Sequence, residues 1–127
     1  MWKVIFFSNS SAGSEVLEYI YSLKENSRAK VFSWLNKLSE LGPNLPRPYS
    51  DIITDGIHEL RIKLKGDQVR ILYFFCYKDY IVLTNTFIKQ TDRVPEKEIR
   101  ISKKIRDEFL SKYSEKEIGE LYDRDLK

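Results

Sequence analysis

Four cations in this chain stand at spacings suited to holding a phosphate. Arg61, Lys63 and Lys65 recur at every second position of the run His58-Glu59-Leu60-Arg61-Ile62-Lys63-Leu64-Lys65, and Leu60, Ile62 and Leu64 fall between them. A period of two marks a strand with one buried face, so the three cations share the other. Gly66-Asp67 interrupts the pattern, and Val69-Arg70-Ile71-Leu72-Tyr73-Phe74-Phe75 resumes it with a fourth cation, Arg70, among apolar residues. Like charges facing each other across strands cost stability, so an anionic partner is the expected reason for the cluster. By the same argument, Arg70→Ala is expected to leave the fold unchanged or slightly stabilised. The alternative is a solvated strand face whose cations pair with Glu59 and with acidic side chains elsewhere.

Strand parity decides which cations meet. With two-residue turns at Gly66-Asp67 and Lys78-Asp79, Lys63 faces Arg70 and Arg70 faces Phe87. Leu60, Ile62, Leu64, Val69, Ile71, Tyr73, Phe75, Val82, Thr84, Thr86 and Ile88 then line the face that packs on N-terminal helices. Glu59, Arg61, Lys63, Lys65, Arg70, Leu72, Phe74, Cys76, Ile81, Leu83, Asn85, Phe87 and Lys89 line the other. Its apolar end is expected to lie under a C-terminal helix, and its polar end gathers Arg61, Lys63, Arg70 and Lys89. His58 and Gln90 fall on the opposite side from the patch. Strand-borne Lys and Arg bind phosphates and stabilise charge that develops in phosphoryl transfer. In RNA the 2′-OH is an internal nucleophile, and cationic crowding lowers a lysine pKa toward the range where an amine accepts a proton. One His and one Cys do not supply a metal-ligand set, there is no phosphate-cradling glycine loop or serine elbow, and no cofactor is expected.

The elements that must position these residues are legible around them. At 127 residues the chain reads as one domain, 1–127, with 42% hydrophobic and 32% charged residues and a formal net charge of +3, a soluble globular composition with only a weak overall pull on anions. Lys3–Phe7 reads as a strand, and Ser14–Leu23 as a helix with Val16, Leu17, Ile20 and Leu23 on one face. Ser27–Leu41 reads as a second helix, capped by Ser27, carrying Val31, Trp34, Leu35, Leu38 and Leu41 and stopped by Gly42-Pro43. The short link between these helices predicts an antiparallel hairpin. Gly42–Gly56, with Pro43, Pro46 and Pro48, reads as a loop. Three strands follow, at about His58–Lys65, Val69–Tyr77 and Tyr80–Lys89. Pro95 opens a helix with Ile101, Ile105 and Phe109 on one face, and Ser114-Glu115-Lys116-Glu117 is a capping box that opens a short last helix. The class is α+β: an N-terminal strand and helix hairpin packed on a small antiparallel sheet, with a C-terminal helix. The single Cys76 reads as a small buried hydrophobe. The N-terminal run is too short for a signal peptide and no apolar run would span a bilayer, so a cytoplasmic location with no membrane partner is expected.

The order of elements and the strings His58-Glu59-Leu60-Arg61-Ile62, Arg70-Ile71-Leu72-Tyr73-Phe74 and Phe87-Ile88-Lys89-Gln90-Thr91 through Pro95 resemble the RelE/ParE toxin superfamily, in its HigB and phage Gp49-like branch. The resemblance covers nearly the whole chain. It implies the toxin of a type II toxin–antitoxin module, a metal-independent endoribonuclease that cuts mRNA on the ribosome through the 2′-OH. It also implies a helix-turn-helix, HigA-like antitoxin as partner, in a toxin–antitoxin hetero-oligomer. Carried over by position, Arg61, Lys63, Arg70 and Lys89 are the catalytic set. Arg70 is expected to hold the scissile phosphate with Arg61, and Lys63 is the candidate base. Lys65, Gln90 and Arg93 are expected to contact RNA. Gln90 departs from the Lys-Lys pair usual in the branch, which puts one substrate contact in doubt.

Other residues have plainer readings. His58 is the one histidine, but its parity assigns it to the helix-packed face. Glu59 reads as a charge partner for Arg61 or Arg70 rather than as a base. Tyr113 reads as packing, with base stacking as the sharper alternative. The basic side of the third helix (Lys97, Arg100, Lys103, Lys104, Arg106) is diluted by acidic residues and reads as solvated. Two further functions compete with the nuclease: a ParE-like poison of DNA gyrase, against which the basic cluster argues, and a module that binds its antitoxin without chemistry.

Overall fold

The computed structural model describes residues 1–7 and 14–125. In chain order the elements are β1 (Lys3–Phe6), α1 (Glu15–Ser22), α2 (Glu25–Leu41), β2 (Ser50–Thr54), β3 (Ile57–Leu64), β4 (Asp67–Cys76), β5 (Tyr80–Ile88), α3 (Glu96–Lys112) and α4 (Glu115–Asp125). The α+β class is as expected. The strands form one sheet in the order β1-β5-β4-β3-β2. Its centre is the anticipated antiparallel meander, but β1 adds to β5 in parallel and β2 adds to β3 antiparallel, so the sheet is mixed and five-stranded. The segment read as a loop from Gly42 to Gly56 therefore contains an edge strand. Its β-branched Ile52-Ile53-Thr54 favours extended backbone, a signal that the nearby prolines outweighed in the sequence.

Each sheet face buries a separate apolar cluster. Val16 and Ile20 of α1 and Val31, Leu35 and Leu38 of α2 pack on Leu60, Ile62, Leu64, Val69, Ile71 and Tyr73. Phe109 of α3 and Ile118 of α4 pack on Ile57, Leu72, Phe74 and Val82. The Ser14 hydroxyl caps α1 by accepting the Leu17 N–H at 3.4 Å. Ser27 does not cap α2, which begins at Glu25 after an uncapped Lys24, and Leu41 lies exposed at its end. Gly42 ends α2 at φ +52°, where a Cβ would overlap the Trp2 indole, so the position requires glycine on two counts. Ser114 and Glu117 form the anticipated capping box, at 3.1 and 3.2 Å.

Both hairpin registers differ from the simplest assumption. The first turn is Lys65-Gly66, both at positive φ (46° and 92°), so Leu64 pairs with Asp67. Two positive-φ residues match the strand twist of a tight hairpin. The pairing thus moves by two residues: Arg61, not Lys63, faces Arg70, and Lys63 faces Gln68. A two-residue shift preserves parity, so the faces survive. The second turn is three residues, Tyr77 to Asp79, and is compensated by a bulge at Thr84, since Leu72 pairs with Asn85 while Tyr73 pairs with Leu83. The Thr84 hydroxyl closes the bulge, donating to the Leu72 carbonyl at 3.1 Å and meeting Ser102 Oγ at 2.7 Å. The bulge reverses parity between it and the turn. Ile81 and Leu83 face α1 and α2, and Val82 faces α3, contrary to an uninterrupted alternation. Beyond the bulge Arg70 faces Phe87, as anticipated.

Candidate functional site

The anionic lining of this cationic face was underestimated from sequence. Glu59 is only 1% exposed, and its carboxylate lies between two guanidinium groups: Arg61 Nε at 2.7 Å from Oε1 and Arg70 Nε at 3.5 Å from Oε2. Asp51 of β2 takes the outer side of Arg61 at 3.1 Å and is itself held by Arg47 at 2.7 Å. The result is a chain, Arg47–Asp51–Arg61–Glu59–Arg70, in which the facing arginines are bridged by a buried carboxylate. The premise that Arg70 is uncompensated fails, and with it the expectation that Arg70→Ala is neutral or stabilising. Burial weakens the hold of the Arg70 guanidinium on its proton; Glu59 opposes that shift and Arg61 adds to it. Partial burial would raise the Asp51 carboxyl, but the Arg47 hydrogen bond, the Ile52 N–H and the two arginine charges outweigh it and hold the carboxyl below its ordinary range.

The second half of the site is a row across three strands. Lys63 pairs with Gln68, and the Lys89 N–H donates to the Gln68 carbonyl at 2.8 Å. Lys63, Gln68 and Lys89 therefore stand side by side, one pleat repeat beyond Arg61, Arg70 and Phe87. Two strand spacings put the lysine backbones roughly 10 Å apart, a gap that a phosphodiester can occupy. Among the described residues neither lysine side chain has a carboxylate partner. Two adjoining clefts open here. One, of about 360 Å³, is lined by Lys30, Trp34, Pro48, Tyr49, Arg61, Ile62, Lys63, Gln68 and Arg70. The other, of about 320 Å³, is lined by Gln68, Arg70, Lys89, Gln90, Thr91 and Asp92. They share Gln68 and Arg70, so Arg70 stands at the junction with Lys63 on one side and Lys89 on the other.

Arg61, Lys63, Arg70 and Lys89 are thus brought together. Lys65 is not: it forms the hairpin turn and lines neither cleft. Arg93 lies exposed outside both, its carbonyl accepting the Thr91 hydroxyl at 3.0 Å. Gln90 lines the same cleft as Lys89, contrary to parity, because β5 ends at Ile88 and alternation ends with it. Gln68, Lys30, Trp34 and Tyr49 were missed. Gln68 had no pattern to mark it, and the other three come from α2 and the proline-rich segment, which only the tertiary fold brings to the sheet.

The remaining candidates have structural surroundings. His58 stacks on Tyr73 at 5.3 Å and meets Phe75 at 5.0 Å on the helix-pair face, and burial lowers its pKa with Asp51 pulling weakly the other way. Cys76 is half-buried and burial pushes its thiol up to about 11, so it is a poor nucleophile. Tyr113 packs against Phe7 and Phe109. On α3, Lys103 pairs with Asp55 at 2.7 Å and Arg106 with Asp107 at 3.4 Å. No described helix is long and apolar enough to cross a membrane.

Comparison with known proteins points the same way as the strand motifs. No curated protein matches the chain. The family described as Phage derived protein Gp49-like (DUF891) matches residues 18–107, a span that runs from α1 through β5 into α3 and contains Arg61, Lys63, Arg70 and Lys89. The chain belongs to this Gp49-like family of phage-derived proteins, a RelE/toxin-like family.

Proposed function

We propose that this protein is the toxin of a type II toxin–antitoxin module and acts as a metal-independent endoribonuclease on translated mRNA. The observation that carries the reading is the arrangement of Lys63 and Lys89 on either side of Arg70, at the junction of two clefts. Transfer to an internal 2′-OH needs an anion holder between a proton acceptor and a proton donor placed on opposite sides of phosphorus. Arg70, with Arg61 beside it, neutralises the non-bridging oxygens. Lys63 takes the 2′-OH proton as the 2′-O–P bond forms. The P–O5′ bond breaks, and the departing 5′-oxygen takes a proton from the Lys89 ammonium. The products are a 2′,3′-cyclic phosphate and a 5′-hydroxyl end. Glu59 holds the two arginines and, being buried between them, is a positioning residue rather than the base. Neutralisation falls to a helix-turn-helix antitoxin in a hetero-oligomer, and the site of action is the translating ribosome in the cytoplasm.

The test is induced expression in a bacterium, with mapping of mRNA ends. New codon-phased ends with 5′-hydroxyls are expected, suppressed by co-expressed antitoxin and lost in Lys63→Ala. Growth arrest with intact mRNA and damaged DNA would move the reading to a gyrase poison. Absence of any toxicity would leave a binding module.

A further inference from the structure

The larger cleft has a wall that phosphate chemistry does not call for. Trp34, Pro48 and Tyr49 line it together with Lys30, Arg61 and Arg70. The Trp34 and Tyr49 rings pack at 4.8 Å between centroids with 32° between their planes, and Lys37 Nζ lies 4.9 Å over Trp34. Tyr49 nonetheless stays 42% exposed. Its backbone is fixed on both sides: its N–H donates to the Pro46 carbonyl at 3.0 Å, and its carbonyl accepts the Arg61 N–H at 2.9 Å. One backbone hydrogen bond therefore ties an open aromatic ring to a residue of the phosphate-binding face. An anion site alone would need no aromatic wall, and an apolar peptide site would not gather cations on its rim. Unpaired RNA presents both demands together, since each nucleotide offers a flat base beside a charged phosphate, and single strands are held by aromatic stacking combined with cationic tracking.

We propose that this cleft is a subsite that seats one unpaired nucleobase of the RNA against Tyr49, next to the phosphate held by Arg70. The assignment rests on the reading of the groove as an RNA site and names how that site takes its substrate. Trp34 backs the platform. The ring is held in place before the RNA arrives, so little ordering accompanies stacking.

The test is binding of a short, uncleavable 2′-O-methyl RNA to the full chain by fluorescence anisotropy, with an abasic unit placed at each position in turn. With the unaltered protein, one abasic position is expected to weaken binding by about fivefold to a hundredfold. Tyr49→Leu, which keeps apolar bulk but removes the ring, is expected to lose a similar factor and to become indifferent to that abasic unit. Tyr49→Phe is expected to bind as the unaltered protein does. Equal binding by Tyr49→Leu, no position-dependent abasic effect, or no binding of the oligonucleotide at all would overturn the subsite. So would a Tyr49→Leu protein that keeps RNA affinity but loses the antitoxin, which would assign the cleft to a protein partner. Tyr49-dependent binding together with intact mRNA in expressing cells would sustain the subsite and remove the nuclease reading, so the two can fail separately.

Discussion

The two cationic rows of this sheet lie one pleat repeat apart and carry the same charge, yet they differ in what lies beside them. Arg61 is hydrogen-bonded to both Glu59 and Asp51, Arg70 lies 3.5 Å from the Glu59 carboxylate, and the side chains of Arg70 and Glu59 are only 8% and 1% exposed. Lys63 and Lys89 have no carboxylate partner among the described residues and flank an exposed Gln68. Arg61 is held through Nε and Nη2 by two carboxylates, a contact that a planar guanidinium suits; the lysines are compact charges on flexible stems. The difference separates two guanidinium groups set beside carboxylates from two lysines that have none, with Arg70 standing between the two kinds at the cleft junction.

The comparison breaks first at Glu59. Glu59→Ala removes the one buried anion between two guanidinium groups and is expected to cost about 3–5 kcal/mol, the range for breaking a buried pair. Thermal unfolding should register it as a fall of more than about 10 °C. Arg70→Ala is expected to cost less, about 2–3 kcal/mol, because Glu59 keeps its 2.7 Å contact with Arg61. An unmoved midpoint would show that the ion chain carries no structural load and would restore the simple like-charge view.

Lys63→Ala and Lys89→Ala should do the reverse, leaving the thermal midpoint unmoved while lowering cleavage by about 10²–10⁴-fold, the scale of a lost acid or base. A cleaving Lys63→Ala protein would place the proton acceptor elsewhere. The smallest effect probes the far face. His58 has its pKa lowered from 6.5 by burial, so below 6.5 the unfolded chain binds a proton that the folded chain resists. Stability should therefore decline gently as pH falls through that window, and His58→Phe should flatten the slope in pH-dependent melting curves.

The helices, the α3–α4 boundary and the central meander were readable because each rests on local pattern: apolar spacing in α1 and α2, proline and acidic residues at the start of α3, a capping box before α4. The patch was readable because parity depends only on alternation, which survived a two-residue error in the first turn. What parity could not supply was pairing. Lys65-Gly66 and not Gly66-Asp67 forms the turn, with a positive φ at Lys65 that its residue type does not announce, and the bulge at Thr84 is stabilised by a hydroxyl contact to Ser102, 18 residues away in sequence. Strand β2 was hidden because the nearby prolines outweighed its β-branched residues, and only its pairing with β3 decides between loop and strand.

Alternation and charge in residues 59–70 determined by themselves that this chain carries a cationic sheet face, since side-chain direction along a strand is fixed by the backbone. Glu59 was legible as a charge partner for the arginines from its place on the same face; the tertiary structure alone decided that it is buried between Arg61 and Arg70, that Asp51 joins it from β2, and that an aromatic wall from α2 and the 46–49 segment stands beside the rest. Burial, ion pairing and cleft walls arise between segments distant in the chain, where no local pattern reaches.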